Sequence, residues 1–264
     1  MKIKKENPSW TIICDSKINS QSFQRYTTTV SNDFEIGWIK ANGKAPNTSN
    51  AEKILELLAI DFLGLKNDKN LPNDKFLEQH FKALEPFFDH FSATVVFNNV
   101  SQVFIQNVLL EKLCSYNINQ KKLTDLSLFL PPSIEDTEIQ NVYGQLVGNI
   151  FESVQNFIEE AKRNGVSEQE ATNTALTMMP IAQQSKAIMT ASMGSWRKLL
   201  ISLSEFGKDE ETRYVIMHLL RDLKARYIGF FSDMVLENKD RKQFGVDSLS
   251  NEGFWQTVKV NKRL

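Results

Sequence analysis

The sequence predicts an α+β fold, a mixed or antiparallel sheet accompanied by long helices, and three observations carry that prediction. Short β-rich runs such as Trp10–Cys14 and Ala93–Val100 stand between helical stretches, without the regular alternation of a parallel β-α-β fold. Between Asp136 and Asn164, Ile139, Val142, Leu146, Ile150, Val154 and Ile158 recur at three- and four-residue steps, the period of a long amphipathic helix. The chain has 264 residues, 41% of them hydrophobic, which is enough to bury one sizeable core, so residues 1–264 read as a single domain.

Taken in order, Trp10–Cys14 is a first strand, and Thr27–Val30 and Phe34–Ile39 are short β-like runs around the turn signal Ser31-Asn32-Asp33. Residues 41–50 have loop composition, and Ser49 or Asn50 then caps a helix from Ala51 to about Phe62, with Ile54, Leu57, Leu58 and Phe62 on one stripe. A polar loop from Gly64 to Asp74 precedes a helix starting at Lys75, with Phe76, Phe81 and Leu84 apolar, that must stop near Pro86. Strand Ala93–Val100 leads to Ser101 as the N-cap of a helix reaching about Cys114, followed by a polar loop, the short run Leu126–Leu130, and Pro131-Pro132. Gly165 is placed to end the long helix, and Ser167 with Glu170 forms a capping box for a helix that Pro180 stops. Ala187–Ala191 reads as a strand and Ser195–Ser204 as a helix. The next helix runs from Glu210 or Glu211 to about Asn238 on a buried face of Val215, Ile216, Leu219, Leu220 and Leu223, and the tail 239–264 reads as surface.

A net charge of −1 gives no global pull toward nucleic acid or an anionic membrane, so neither is an expected partner. No apolar run approaches the roughly 20 residues that span a bilayer, and the N-terminus turns polar after its basic start, so the expected compartment is the cytoplasm. Cys14 and Cys114 then remain thiols, with Cys114 expected buried and inert. Glu78, His80, Glu85, Asp89 and His90 lack any metal-ligand spacing, and no metal is expected.

The stretch from Asp89 to Ile134 resembles the flavin-dependent thymidylate synthase family. That family's E-H-x-x-F-x-F-x-I-x-x-V-S-R falls on Asp89, His90, Ala93, Val95, Phe97, Val100, Ser101 and Gln102. Its Q-L-V-R-H-R falls on Asn107 to Lys112, with the following serine at Ser115, and its E-x-S-Q-R-Y on Ile118 to Leu123. Its P-P-S-I is kept as Pro131 to Ile134. Further on, the A-R-x-x-L-P ending meets Ala175 to Pro180, the N-x-R, second N and terminal arginine meet Ser192, Gly194, Lys198 and Leu203, and the E-I meets Glu210 or Glu211. The likeness is strongest over 76–223.

The resemblance implies the fold of that family and a homotetramer in which FAD, a uracil deoxynucleotide and methylene-tetrahydrofolate meet between subunits. It assigns His90, Asn107, Lys112, Ser192 and Lys198 to cofactor contacts, and Ser115, Gln120, Lys121 and Lys122 to the nucleotide. Lys121 and Lys122 read equally as an ordinary solvated loop, His90 as a residue at the strand entry, and Lys198 as a surface lysine. Leu110, Glu111 and Lys112 stand where the family has R-H-R, and a carboxylate facing a pyrophosphate repels it. The expected function is therefore a divergent member acting as a non-catalytic or nucleotide-binding subunit, alone or beside an intact family member. The alternative is FAD-dependent methyl or hydroxymethyl transfer to C5 of a uracil deoxynucleotide with altered contacts.

Overall fold

A computed structural model describes residues 4–5, 7–15, 50–65, 73–119, 127–128, 137–204, 209–238 and 256–260. In chain order the elements are β1 (Lys4–Lys5), β2 (Ser9–Asp15), α1 (Asn50–Leu63), α2 (Asn73–Gln79), α3 (Phe81–Leu84), a 3-10 turn (Glu85–His90), β3 (Ser92–Ser101), α4 (Gln102–Leu110), β4 (Ser115–Asn119) and β5 (Ser127–Leu128). They continue with α5 (Thr137–Arg163), α6 (Glu168–Leu176), β6 (Gln184–Ser192), α7 (Met193–Leu203), α8 (Glu210–Arg226), α9 (Ile228–Phe231), β7 (Met234–Asn238) and β8 (Gln256–Val260). The predicted runs at 27–30 and 34–39 and the loop at 41–49 lie outside the described residues.

The centre is a four-stranded antiparallel sheet in the order β2-β3-β6-β4, which is the α+β architecture expected. Its inner face follows from the period of two. Ala93, Val95 and Phe97 on β3 and Ala187, Met189 and Ala191 on β6 point into one core with Phe104, Trp196, Leu199, Leu203, Val215 and Leu219 from the helices. Trp196 fixes α7 to the sheet by donating its indole N–H to the Ala93 carbonyl at 3.0 Å. Between Phe97 and Val100 the register slips by a bulge, with Asn99 at φ 56°, a left-handed conformation that asparagine tolerates better than most residues. The bulge turns the chain into Ser101, whose hydroxyl accepts the Phe104 N–H at 3.2 Å and starts α4, as the sequence predicted.

Several expectations need correction. The helix expected from Lys75 is broken into α2, α3 and the 3-10 turn that carries Pro86. On α1 the buried residues are Ala51, Leu55, Leu57, Ala59 and Ile60, together with Glu52 and Glu56, while Phe62 of the predicted stripe is exposed. Helix α4 ends at Leu110 rather than near Cys114, and residues 115–119, read as loop, form edge strand β4 on β6. The helix expected to reach Asn238 stops at Arg226, after which α9 and β7 follow, and β7 pairs with β8 from the tail read as surface. On α5 the stripe divides. Val154 is buried and Ile158 packs beside it, whereas Ile139, Val142, Leu146 and Ile150 are exposed, because α5 turns a different face, Tyr143, Val147 and Phe151, inward.

The two expected caps around α6 are present. Gly165 takes φ 83° with the Val166 N–H returning to Ala161 O, and Ser167 accepts the Glu170 N–H at 3.2 Å. Arg197 on α7, buried, donates from both terminal nitrogens to Asp233 at 2.6 and 2.7 Å and lies over the rings of Phe81 and Phe88, fastening α7 to the segment between α9 and β7. Among the described residues no helix is long and apolar enough to cross a membrane.

Candidate functional site

Helix α7 carries a candidate site at each end. At its N-terminus the pairing of Ser92 with Ser192 brings the 3-10 turn over the start of the helix. Ser192 is the N-cap, accepting the Ser195 N–H at 3.0 Å, and its hydroxyl donates to Asp89 Oδ1 at 2.5 Å. A carboxylate therefore sits at the positive end of the helix dipole, where it is stabilised. Gly194 leaves room for the same contact, since a Cβ there would stand 2.4 Å from Asp89 Oδ1. His90, next to Asp89, is exposed, with its ring 6.3 Å from that of Phe87. His90 thus directly follows the residue that Ser192 holds, and Lys198 lies exposed further along α7.

At the other end of α7, Ser202 donates its hydroxyl to Glu111 Oε1 at 2.6 Å. Glu111 is thus engaged by the protein itself. Ten residues of helix put this contact on the order of 15 Å from the Asp89 contact. Lys112 beside it takes the left-handed conformation at φ 52° and is exposed, as is Leu110 at 73%. Leu203, where the resemblance has a terminal arginine, is buried in the core. Asn107 uses its amide nitrogen on the α8 cap, donating to Asp209 Oδ2 at 2.7 Å and Thr212 Oγ1 at 3.2 Å. Ser115 opens β4, exposed, opposite Thr190 of β6. Gln120, Lys121 and Lys122 lie outside the described residues. Among the described residues, Ser192 lies at the start of α7 and Lys198 along it, while Asn107 sits at the α8 cap and Ser115 on the sheet-edge strand β4, so they do not form one cluster.

A buried polar corner, to which sequence reasoning gave no role, lies where β3 passes into α4. Glu211, 1% exposed, accepts the Ser101 N–H at 2.8 Å with Oε1, while its Oε2 has no partner. Burial pushes its carboxyl from 4.5 up to about 7, with the bonds from Ser101 opposing and the nearby Asp209 charge adding. On the other side of the corner the Gln102 N–H is shared by the carbonyls of Ile181 and Gln183, and the Gln102 amide donates to Ser185 Oγ at 2.7 Å. The buried Gln183 Nε2 has no acceptor. Burial, and then the Glu211 charge, push the Tyr143 phenol up, and burial pushes the half-buried Cys114 thiol up. The sequence signals for this corner were Ser101 as an N-cap and the acidic pair Glu210-Glu211 at the head of a helix.

An open groove of about 780 Å³ runs along a polar face of α5, where Gln140, Asn141, Gln145 and Asn149 flank Gly144 and Gly148, and none of the predicted site residues that are described lines it. Among the described residues no three His, Cys, Asp or Glu side chains are grouped to hold a metal ion.

No curated protein matches the chain. The sequence model of one family, described as thymidylate synthase complementing protein, matches residues 42–227, which includes both ends of α7, the β3–α4 corner and the head of α8. Since that match spans well over half of the 264 residues, the chain belongs to the thymidylate synthase complementing protein family, the flavin-dependent thymidylate synthases.

Proposed function

We propose that this chain is a family member that does not run the family's flavin-dependent methyl transfer and serves as a non-catalytic or nucleotide-binding subunit. Flavin-dependent thymidylate synthases use FAD and methylene-tetrahydrofolate and form homotetramers. The observation that supports the reading is the pair of carboxylates fastened to α7, Asp89 at its N-cap and Glu111 at Ser202. Glu111 puts an anion inside the stretch where the resemblance has R-H-R, and Asp89, where the resemblance also has an acid, occupies the helix end beside Gly194, where the resemblance has an arginine. Of the positions assigned to flavin contacts, Lys112 and Lys198 carry positive charge, and both are exposed. An exposed lysine is a screened point charge and no substitute for a bidentate arginine. The described residues therefore do not fit the phosphates of FAD, and no step of a reaction is assigned to them.

The subunit reading also draws on α5. Its exposed stripe of Ile139, Val142, Leu146, Ile150 and Phe157 runs along a 27-residue helix, a length of about 40 Å, and suits a second copy of the chain or an intact family member. The test is to purify the protein and follow flavin absorbance through gel filtration, with FAD expected well below one per chain. Stoichiometric yellow protein would sink the proposal and restore the enzyme. Calorimetry with dUMP on the native chain and on a Lys121→Ala/Lys122→Ala variant then separates the two subunit roles. Heat that vanishes in the variant means nucleotide binding in that stretch, and no heat from either protein means a purely structural subunit.

A further inference from the structure

Helix α5 is packed on one side only. Tyr143, Val147, Phe151, Val154 and Ile158 face α6 and the chain just after it, and among the described residues α6 is the only element that packs extensively on α5. The other side carries Ile139 at 56% exposed, Val142 at 50%, Leu146 at 59% and Ile150 at 41%, and Phe157 extends the same stripe toward the tip. From Ile139 to Phe151 the helix holds no charged side chain on any face. An exposed helix ordinarily carries charges on its solvent side, and their depletion marks the core of an interface.

We propose that α5 pairs antiparallel with α5 of a second copy of the chain across a twofold axis near residue 144, a proposal that rests on the subunit reading and names the partner. Read in reverse, the stripe meets itself. With the axis there, Ile139 stands opposite the partner's Ile150 and Val142 opposite the partner's Leu146, branched aliphatic against branched aliphatic over about 17 Å. The neighbouring column of the helix, Glu138, Gln145 and Asn149, obeys the same symmetry. Gln145 falls near the axis and meets the partner's Gln145, and Asn149 falls opposite the partner's Glu138. An amide both donates and accepts, so the first pair is self-complementary, and the second sets an amide donor against a carboxylate. A twofold contact needs a surface that is its own complement, whereas a different partner needs no such match. Parallel pairing would instead bring the two Glu138 carboxylates to the same level.

Cysteine pairing across the axis tests this. Full-length Ile139→Cys and Ile150→Cys chains are made separately, mixed and exposed to oxidised glutathione, with links located by peptide mass mapping so that Cys14 and Cys114 are told apart from the new thiols. The mixture is expected to form a disulfide between 139 and 150 at twice the chain mass. Each variant alone is expected to form no link at its new thiol, because the two copies of that thiol lie about 17 Å apart along the helices. A link from 139 to 139 or from 150 to 150 overturns the antiparallel register, and no link at all overturns the second copy as the occupant. Sedimentation equilibrium of the unmodified chain guards against a variant that misfolds, with an even-numbered assembly expected and a monomer overturning the pairing. Flavin absorbance separates this from the subunit reading itself. FAD at one per chain together with the 139-to-150 link sinks the non-catalytic reading alone, and a colourless chain without the link sinks the pairing alone.

Discussion

Replacing Gly194 by alanine probes whether the Asp89 carboxylate is fixed on the end of α7. The new Cβ would meet Asp89 Oδ1 at 2.4 Å and Cγ at 3.1 Å, so the carboxylate must swing away and give up the Ser192 hydroxyl. A hydrogen bond to a charged group contributes about 1.5–3 kcal/mol, and the exposed position of Asp89 argues for the lower end. Loss of the helix-end charge interaction adds a few tenths of a kcal/mol. Against this, alanine in a helix is better than glycine by roughly 0.5–1 kcal/mol. Gly194→Ala should therefore destabilise by about 1 kcal/mol in the native background. In an Asp89→Ala background, where the space is free, it should stabilise by roughly 0.5–1 kcal/mol. Urea unfolding of the four proteins of this double-mutant cycle, compared at unchanged m, gives a coupling on the order of 1.5–2 kcal/mol. If the two single effects add to within about 0.5 kcal/mol, the contact does not hold in solution and Asp89 is not seated on the end of α7.

Other outcomes can be stated more briefly. Arg197→Met strands Asp233 in the core and should cost roughly 3–5 kcal/mol by urea unfolding, whereas replacing both by well-packed apolar residues should cost far less. Glu211 binds its proton more tightly folded than unfolded, so its contribution to stability is full below pH 4.5 and is lost as pH rises to about 7, a decline on the order of 3 kcal/mol. Glu211→Gln should remove that slope, and a parallel pH profile for both proteins would contradict the assignment. Leu146→Glu with Ile150→Glu on the exposed face of α5 should shift light-scattering mass toward the monomer without lowering the thermal midpoint of the monomer. A native chain that is already monomeric at micromolar concentration would remove the interface.

What the sequence made legible was local. β3 announced itself by Val95, Val96 and Phe97, and α4 by Ser101, because strand period and capping are written within a few residues. β4 escaped because Ser115-Tyr116-Asn117-Ile118-Asn119 has no apolar alternation and becomes a strand through its pairing with β6, some 70 residues away. β7 escaped for the same reason, its partner β8 lying in a tail that looked like surface. On α5 the periodicity was correct, yet periodicity cannot say whether the surface that covers an apolar stripe belongs to the same chain. At the site, the family frame located Asp89, Ser192, Asn107 and Glu111, but not their use. Asn107 serves the α8 cap and Glu111 serves Ser202, contacts 102 and 91 residues apart in sequence.

The seat of Asp89 also fixes an order of events. A side chain longer than hydrogen at 194 collides with that carboxylate, so an arginine installed there while Asp89 remains displaces the carboxylate from the Ser192 hydroxyl. Removing Asp89 first exposes the α7 N-cap before any new cation is present to repay the loss. Each step toward an arginine-bearing helix end passes through a less stable chain, and drift across that position runs more easily in one direction than in the other.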